Sequence, residues 1–150
     1  MPDSAVANRA AIDAIDQADM IVIGPGSLYT SVIPNLLFKA IRDSVNASNA
    51  PKVFVCNVAT QPYETDGYGV EQHLNQFQSN TGVSVSHLLI NDMVLNLPKH
   101  WDQEAVLPVN TIDGFHGNIV HADVLNEDFP TRHDPYKLAR VLISIERNCY

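Results

Sequence analysis

Two hydrophobic periods alternate along this chain, and the changes between them mark its elements. Residues 5–16 place Ile12 and Ile15 at helical spacing, which predicts an opening helix. Met20, Ile21, Val22 and Ile23 then form an unbroken apolar run behind the charged Asp19, the pattern of a strand covered on both faces of a parallel sheet. Pro34 suits a first helical turn, so a helix is predicted over 34–47 with Leu37, Ala40, Ile41 and Val45 turned inward. A second strand is predicted at 52–57 and a polar loop at 58–69. A helix follows in which Val70, Leu74 and Phe77 recur at helical spacing and Gly82 marks the stop. Residues 86–91 read as a third strand.

Periodicity weakens between 92 and 128, where Pro98 and Pro108 interrupt regular structure, and two further short strands are predicted at 105–109 and 119–124. The last helix is well marked. Asp134 reads as its N-cap, Pro135 occupies the first helical position, and Leu138, Leu142 and Ile145 supply an apolar stripe.

Three strands joined by two helices of crossover length predict an α/β fold with parallel pairing, so the loops after the first two strands emerge on one edge. Ligands bind at that edge in open α/β sheets. Residues 24–31 and 57–65, distant in sequence, are therefore expected to line one crevice.

Composition fits a single domain over 1–150: a chain of 150 residues, 45% of them hydrophobic, can bury a core. No run approaches the roughly 18 apolar residues of a membrane helix, and Met1, Pro2, Asp3 and Ser4 lack the features of a signal peptide, so a cytoplasmic location is expected. With 17 acidic against 9 basic residues the net charge is −8, which disfavours nucleic acid and anionic membranes as partners. A small phosphorylated ligand is compatible with that charge, because local N–H groups act within the roughly 10 Å over which salt screens distant charges. Cys56 reads as a core residue and Cys149 as a tail residue, with no disulfide implied. His116 and His121 lack ligand spacing, and no metal is expected.

The first candidate chemistry is the strand-to-helix junction containing Gly24, Pro25, Gly26, Ser27, Tyr29, Thr30 and Ser31, whose small residues and hydroxyls would let a phosphate approach the main chain. A tight structural turn explains the glycines equally well. The loop lacks the lysine of a Walker motif, and Tyr29 stands where a dinucleotide fingerprint has its third glycine. In the second loop Asn57, Thr60 and Gln61 offer paired donors and acceptors for a base or sugar, and Glu64 an acceptor for hydroxyls. Arg132 and His133, just before the last helix, suit a diphosphate; a surface pair of Arg132 with Asp128 or Asp134 is the plain alternative.

The string from Gly24 to Ser31, continued by Ile33, Pro34, Asn35, Leu36 and Leu37, then Asn57, Thr60, Gln61, Glu64 and Thr65, resembles the bacterial gluconeogenesis-factor family of the CofD-like superfamily, which groups with the 2-phospho-L-lactate transferases. Arg132, His133 and Asp134 resemble the entrance to that family's final helix, and the resemblance spans roughly 5–145. It implies a Rossmann-like three-layer αβα fold with a mainly parallel sheet, incomplete here because the family's N-terminal half is absent. It also implies regulatory binding of a nucleotide-type ligand, a UDP-sugar or NAD(P), linked to carbon metabolism, cell-wall synthesis and cell shape. Phospholactyl-type transfer to a deazaflavin precursor is the alternative, and a fragment that only associates is a third. The partner expected is the missing half or a second copy, giving a homo-oligomer. In this resemblance the second loop normally reads Gln-x-Gly-Glu-Thr, and Tyr63 replaces the glycine. If that position takes a positive φ, either the tyrosine is strained or the loop is rebuilt.

Overall fold

A computed structural model describes residues 6–98 and 100–148. Along them run α1 (Arg9–Asp16), β1 (Ile21–Ile23), a wide helical turn (Leu28–Val32) that continues into α2 (Ile33–Leu36), α3 (Lys39–Ala47), β2 (Lys52–Val55), α4 (Val70–Thr81), β3 (His87–Asn91), β4 (Asn118–Ala122) and α5 (Pro135–Asn148). The four strands pair in parallel in the order β1-β2-β3-β4, with Val22 beside Val53, Val53 beside His87 and Leu88 beside Ile119.

Strand alternation sorts the core into two faces. Ile23, Phe54, Cys56, Leu88 and Ile90 pack with Ile33, Leu36, Val45, Val70, Leu74 and Phe77 from α2, α3 and α4. On the other face Val53, Val55 and Leu89 meet Leu138, Val141, Leu142 and Ile145 of α5. The result is a three-layer αβα arrangement, which explains why β2 and β3 carry continuous apolar runs instead of an alternating pattern. At about 1.5–3 kcal/mol for each fully buried large apolar side chain, these two faces supply the main folding drive.

The helix signals are obeyed where capping chemistry is explicit. Asn8 caps α1 by accepting from the Ala10 N–H at 2.9 Å. α4 ends at Gly82 with φ +65°, and Asp134 Oδ1 accepts from the Tyr136 and Lys137 N–H groups at 2.9 and 2.8 Å to open α5. The early part of the predicted first helix, residue 5, and the tail Cys149 lie outside the described residues.

Three expectations are corrected. β1 is an edge strand, and because α5 covers β2 and β3, Val22 stays 40% exposed instead of being covered on both faces. The single helix predicted over 34–47 starts earlier and breaks: Phe38 adopts an extended conformation with ψ 112°, which resets the phase. Leu36 and Val45 are consequently buried, while Leu37 is 44% exposed and Ala40 faces solvent. The stretch 105–109 is no strand; Ala105 forms one antiparallel bridge with Ala59, and the Val106 N–H donates to the Val58 carbonyl at 3.0 Å. Pro108 has no N–H with which to extend that pairing. The strand expected at 119–124 is present as β4, shifted by one to two residues.

Candidate functional site

Three chain segments meet at the C-terminal edge of the sheet. The first leaves β1 through Gly24, whose φ is +84° and on which a Cβ would lie 3.0 Å from the Val55 carbonyl oxygen. Only glycine meets both conditions, and it brings the loop against the end of β2. The Gly24–Pro25 peptide bond is cis. Next, the Asn57 side chain pairs with both backbone groups of one residue: Oδ1 accepts from the Gly26 N–H at 3.3 Å and Nδ2 donates to the Gly26 carbonyl at 3.1 Å. The two loops expected to share a crevice are thus joined directly.

Ser27 caps the helical turn by accepting from the Thr30 N–H at 3.1 Å, and its hydroxyl also touches that of Thr30. The Ser27 hydroxyl donates to Glu64 Oε1 at 2.6 Å, and the Tyr29 N–H donates to the same oxygen at 2.7 Å. The Ser31 and Val32 N–H groups turn back to the Ser27 carbonyl. Several donors that a phosphate would use at this junction are therefore already satisfied from within the chain. Behind them the Tyr29 hydroxyl lies 3.0 Å from that of Tyr68 and donates to Gln76 Oε1 at 3.2 Å. Burial, with Tyr68 alongside, pushes the Tyr29 phenol up to about 12.

The second segment, 57–69, is shaped by its own threonines. Thr65 is fully buried and accepts from the Gln61 N–H at 2.8 Å. Thr60 pairs with Glu104 in both directions at 2.8 Å, which draws the stretch around Gln103 alongside. Tyr63 has φ +65° and is 95% exposed, so the loop keeps a positive-φ residue at this position and the tyrosine bears the strain.

Arg132 and His133 form the third segment. His133 Nε2 donates to the Cys56 carbonyl at 3.1 Å, tying the entrance of α5 to the end of β2 and leaving Nδ1 as an acceptor in the neutral ring. Burial lowers the His133 pKa, opposed by the Cys56 carbonyl. Asp134 is occupied as a helix cap. Arg132 lies over the Phe129 ring at 5.8 Å. Among the described residues no carboxylate pairs with it, so the surface ion pair with Asp128 or Asp134 is not formed.

These segments enclose an open cavity of about 600 Å³. Pro25, Gly26 and Ser27 line it from the first segment, Asn57, Thr60 and Gln61 from the second, and Arg132 and His133 from the third. Among the described residues no carboxylate lines it, although the chain has 17 acidic residues. Gln61 Oε1 is buried without a hydrogen-bond partner. Gly24, Tyr29, Thr30, Ser31, Asn35, Glu64 and Thr65 do not line the cavity. They stand behind its walls; the Asn35 amide, for example, donates to the Ser31 carbonyl at 2.6 Å. Gln103 and Thr131 line it and escaped the sequence reading. Adjacency to Arg132 would have pointed to Thr131, whereas Gln103 sits in a stretch without periodicity. His116 and His121 are exposed, and among the described residues no three His, Cys, Asp or Glu side chains converge as a metal site.

Comparison with known proteins places this site in context. A family model described as 2-phospho-L-lactate transferase CofD matches residues 1–137. A Nostoc sp. protein named "Putative gluconeogenesis factor" is 41% identical over 159 aligned residues, which cover 95% of this chain and 34% of the relative. An Aquifex aeolicus protein of the same name is 38% identical, over 98% of this chain and 47% of the relative. The crystal structure of a UPF0052-family protein from Bacillus halodurans superposes with a TM-score of 0.86 at 32% identity, over 95% of this chain and 48% of that one. The chain thus spans about a third to a half of the length of the curated relatives it matches.

Proposed function

The chain belongs to the CofD family, and on that premise we propose that it is a regulatory, non-catalytic binder of a phosphorylated nucleotide-type ligand, a UDP-sugar or a dinucleotide. The observation that carries this reading is Arg132: a guanidinium without a carboxylate partner among the described residues, on the rim of a cavity that no acid lines. A diphosphate is what such a planar cation suits, through bidentate contacts. The amides of Gln61 and Gln103 supply donors and acceptors for a base or sugar. The names of the relatives favour a gluconeogenesis-factor role; a link to carbon metabolism, cell-wall synthesis and cell shape, exercised in the cytoplasm, is our proposal. Among the described residues no helix is long and apolar enough to cross a membrane.

Titration calorimetry of the chain with UDP-glucose, NADP and a deazaflavin precursor separates the readings. The expected result is saturable binding of UDP-glucose or NADP that weakens at least about tenfold in Arg132→Ala, the order of one lost charge-assisted contact. Turnover of the deazaflavin precursor would overturn it in favour of phospholactyl-type transfer, and silence with all three would leave an associating fragment.

The partner is read from β1. Its outer edge carries no strand among the described residues, and Val22 stands 40% exposed beside it, on the part of the face that α5 leaves uncovered. Such an edge pairs readily with another strand. We expect self-association through a second copy, or docking of a polypeptide that carries the rest of the family's length. Sedimentation velocity should show species larger than 16.5 kDa, reduced by Val22→Lys. A clean monomer at tens of micromolar would refute it.

A further inference from the structure

Glu64 was expected to accept from ligand hydroxyls, yet it does not line the cavity. One of its carboxylate oxygens instead takes two donors from the opposite loop, the Ser27 hydroxyl at 2.6 Å and the Tyr29 N–H at 2.7 Å. We propose that Glu64 is a positioning residue that clamps the loop after β1 to the loop after β2 and so sets the Gly26 and Ser27 wall of the cavity.

Three observations converge on this assignment. The Glu64 bonds span 35 and 37 residues of sequence, so they fix long-range geometry and cannot arise from local turn formation. Glu64 has a companion: the Asn57 amide joins the same two loops through Gly26, one residue before Ser27. The two clamps act on the neighbouring residues Gly26 and Ser27. Lastly, the residue before Glu64 is Tyr63 at φ +65°, a conformation that an exposed tyrosine does not adopt without cost. That backbone is held by the Glu64 N–H to Gln61 carbonyl bond at 3.1 Å and by the Tyr63 N–H, which donates to Asp66 Oδ2 at 2.8 Å. The strain is thus placed where it delivers a carboxylate to the facing loop.

A carboxylate suits the clamp because a charged acceptor strengthens both bonds. Glutamine keeps an acceptor oxygen on the same stem, whereas alanine keeps none. Ligand recognition then falls to Gln61, Gln103 and Arg132, and Glu64 acts through the wall it holds. Only the affinity part of the following test rests on the ligand reading above.

The test compares wild type, Glu64→Gln and Glu64→Ala as the full chain. Hydrogen exchange at the Tyr29 amide reads the clamp without any ligand. It should accelerate at least about tenfold in Glu64→Ala and return to within about threefold of wild type in Glu64→Gln. UDP-glucose affinity, read by calorimetry, should follow the same order, falling about tenfold in Glu64→Ala and recovering in Glu64→Gln. In a Ser27→Ala background the Glu64→Ala loss should shrink, because the two share one bond. An unchanged Tyr29 exchange in Glu64→Ala overturns the proposal. So does a Glu64→Gln variant with protected Tyr29 and lost affinity, since the carboxylate would then touch the ligand itself. A wild-type chain that ignores UDP-glucose refutes the ligand reading, and the exchange result then decides the clamp alone.

Discussion

Tyr63 gives a measurement of strain in the loop that carries Glu64. Its φ of +65° puts an L-residue in the left-handed region, at roughly 1–2 kcal/mol for a residue with a Cβ. Glycine escapes that cost but carries more unfolded-chain entropy, worth about 0.4–1 kcal/mol in the opposite direction. At 95% exposure the tyrosine ring contributes little packing that its removal would forfeit. Its N–H bond to Asp66 is made by the backbone and survives in glycine. The net expectation for Tyr63→Gly is a gain of about 0.5–1 kcal/mol. For a chain of 150 residues that is roughly 1–4 °C in Tm. Tyr63→Ala is the control: it retains the Cβ and the strain and should stay within about 0.5 kcal/mol of wild type. Urea unfolding followed by far-ultraviolet circular dichroism, with calorimetric Tm beside it, measures both. If Tyr63→Ala gains as much as Tyr63→Gly, the tyrosine ring and not the backbone is the source. If Tyr63→Gly loses stability, the strain assignment is wrong.

Two further predictions rest on single groups. Asp134→Ala removes the acceptor for two N–H groups at the start of α5 and should cost about 1 kcal/mol in urea unfolding; no change would mean that the cap is dispensable. His73 and His133 both have pKa values lowered by burial. Below a reference pKa of about 6.5 the unfolded chain therefore binds protons that the folded chain refuses, and stability falls as pH drops from there toward the folded values. Above about pH 7.5 neither group contributes. Unfolding midpoints at pH 7.5 and 5.5 should show this loss, and His133→Gln, which retains a donor for the Cys56 carbonyl, should lessen it. An equal loss in the variant would exclude His133 as a source.

How legible the fold was depended on which force set each element. Strands β2 and β3 were visible because burial on both faces leaves an unbroken apolar run, and Asp134 with Pro135 announced α5 because capping is local chemistry. The interrupted helix between 28 and 47 was not visible. Its break at Phe38 depends on which of Leu36, Leu37 and Phe38 the core accepts, a tertiary choice that local periodicity does not encode. The exposure of Val22 was hidden for the same reason, since an apolar run reports what a strand is suited to meet and not what covers it.

The site divides along the same line. Asn57 and Gln61 were expected beside the Gly24 loop because a parallel topology sends strand ends to one edge, and the Asn57 to Gly26 pair shows that the loops meet there; Arg132 and His133 were singled out from the entrance to the last helix, and they line the same cavity. Glu64 and Tyr29 were singled out with them, yet their polar groups are turned to each other and away from the cavity. A polar loop motif carries two kinds of residue, those that meet a ligand and those that hold the first kind in place, and sequence cannot separate them because both need the same donors and acceptors. Distance across the loops separates them. In this chain the groups joining the loops are an amide and a carboxylate, and Arg132, with no carboxylate partner among the described residues, is left to face what enters.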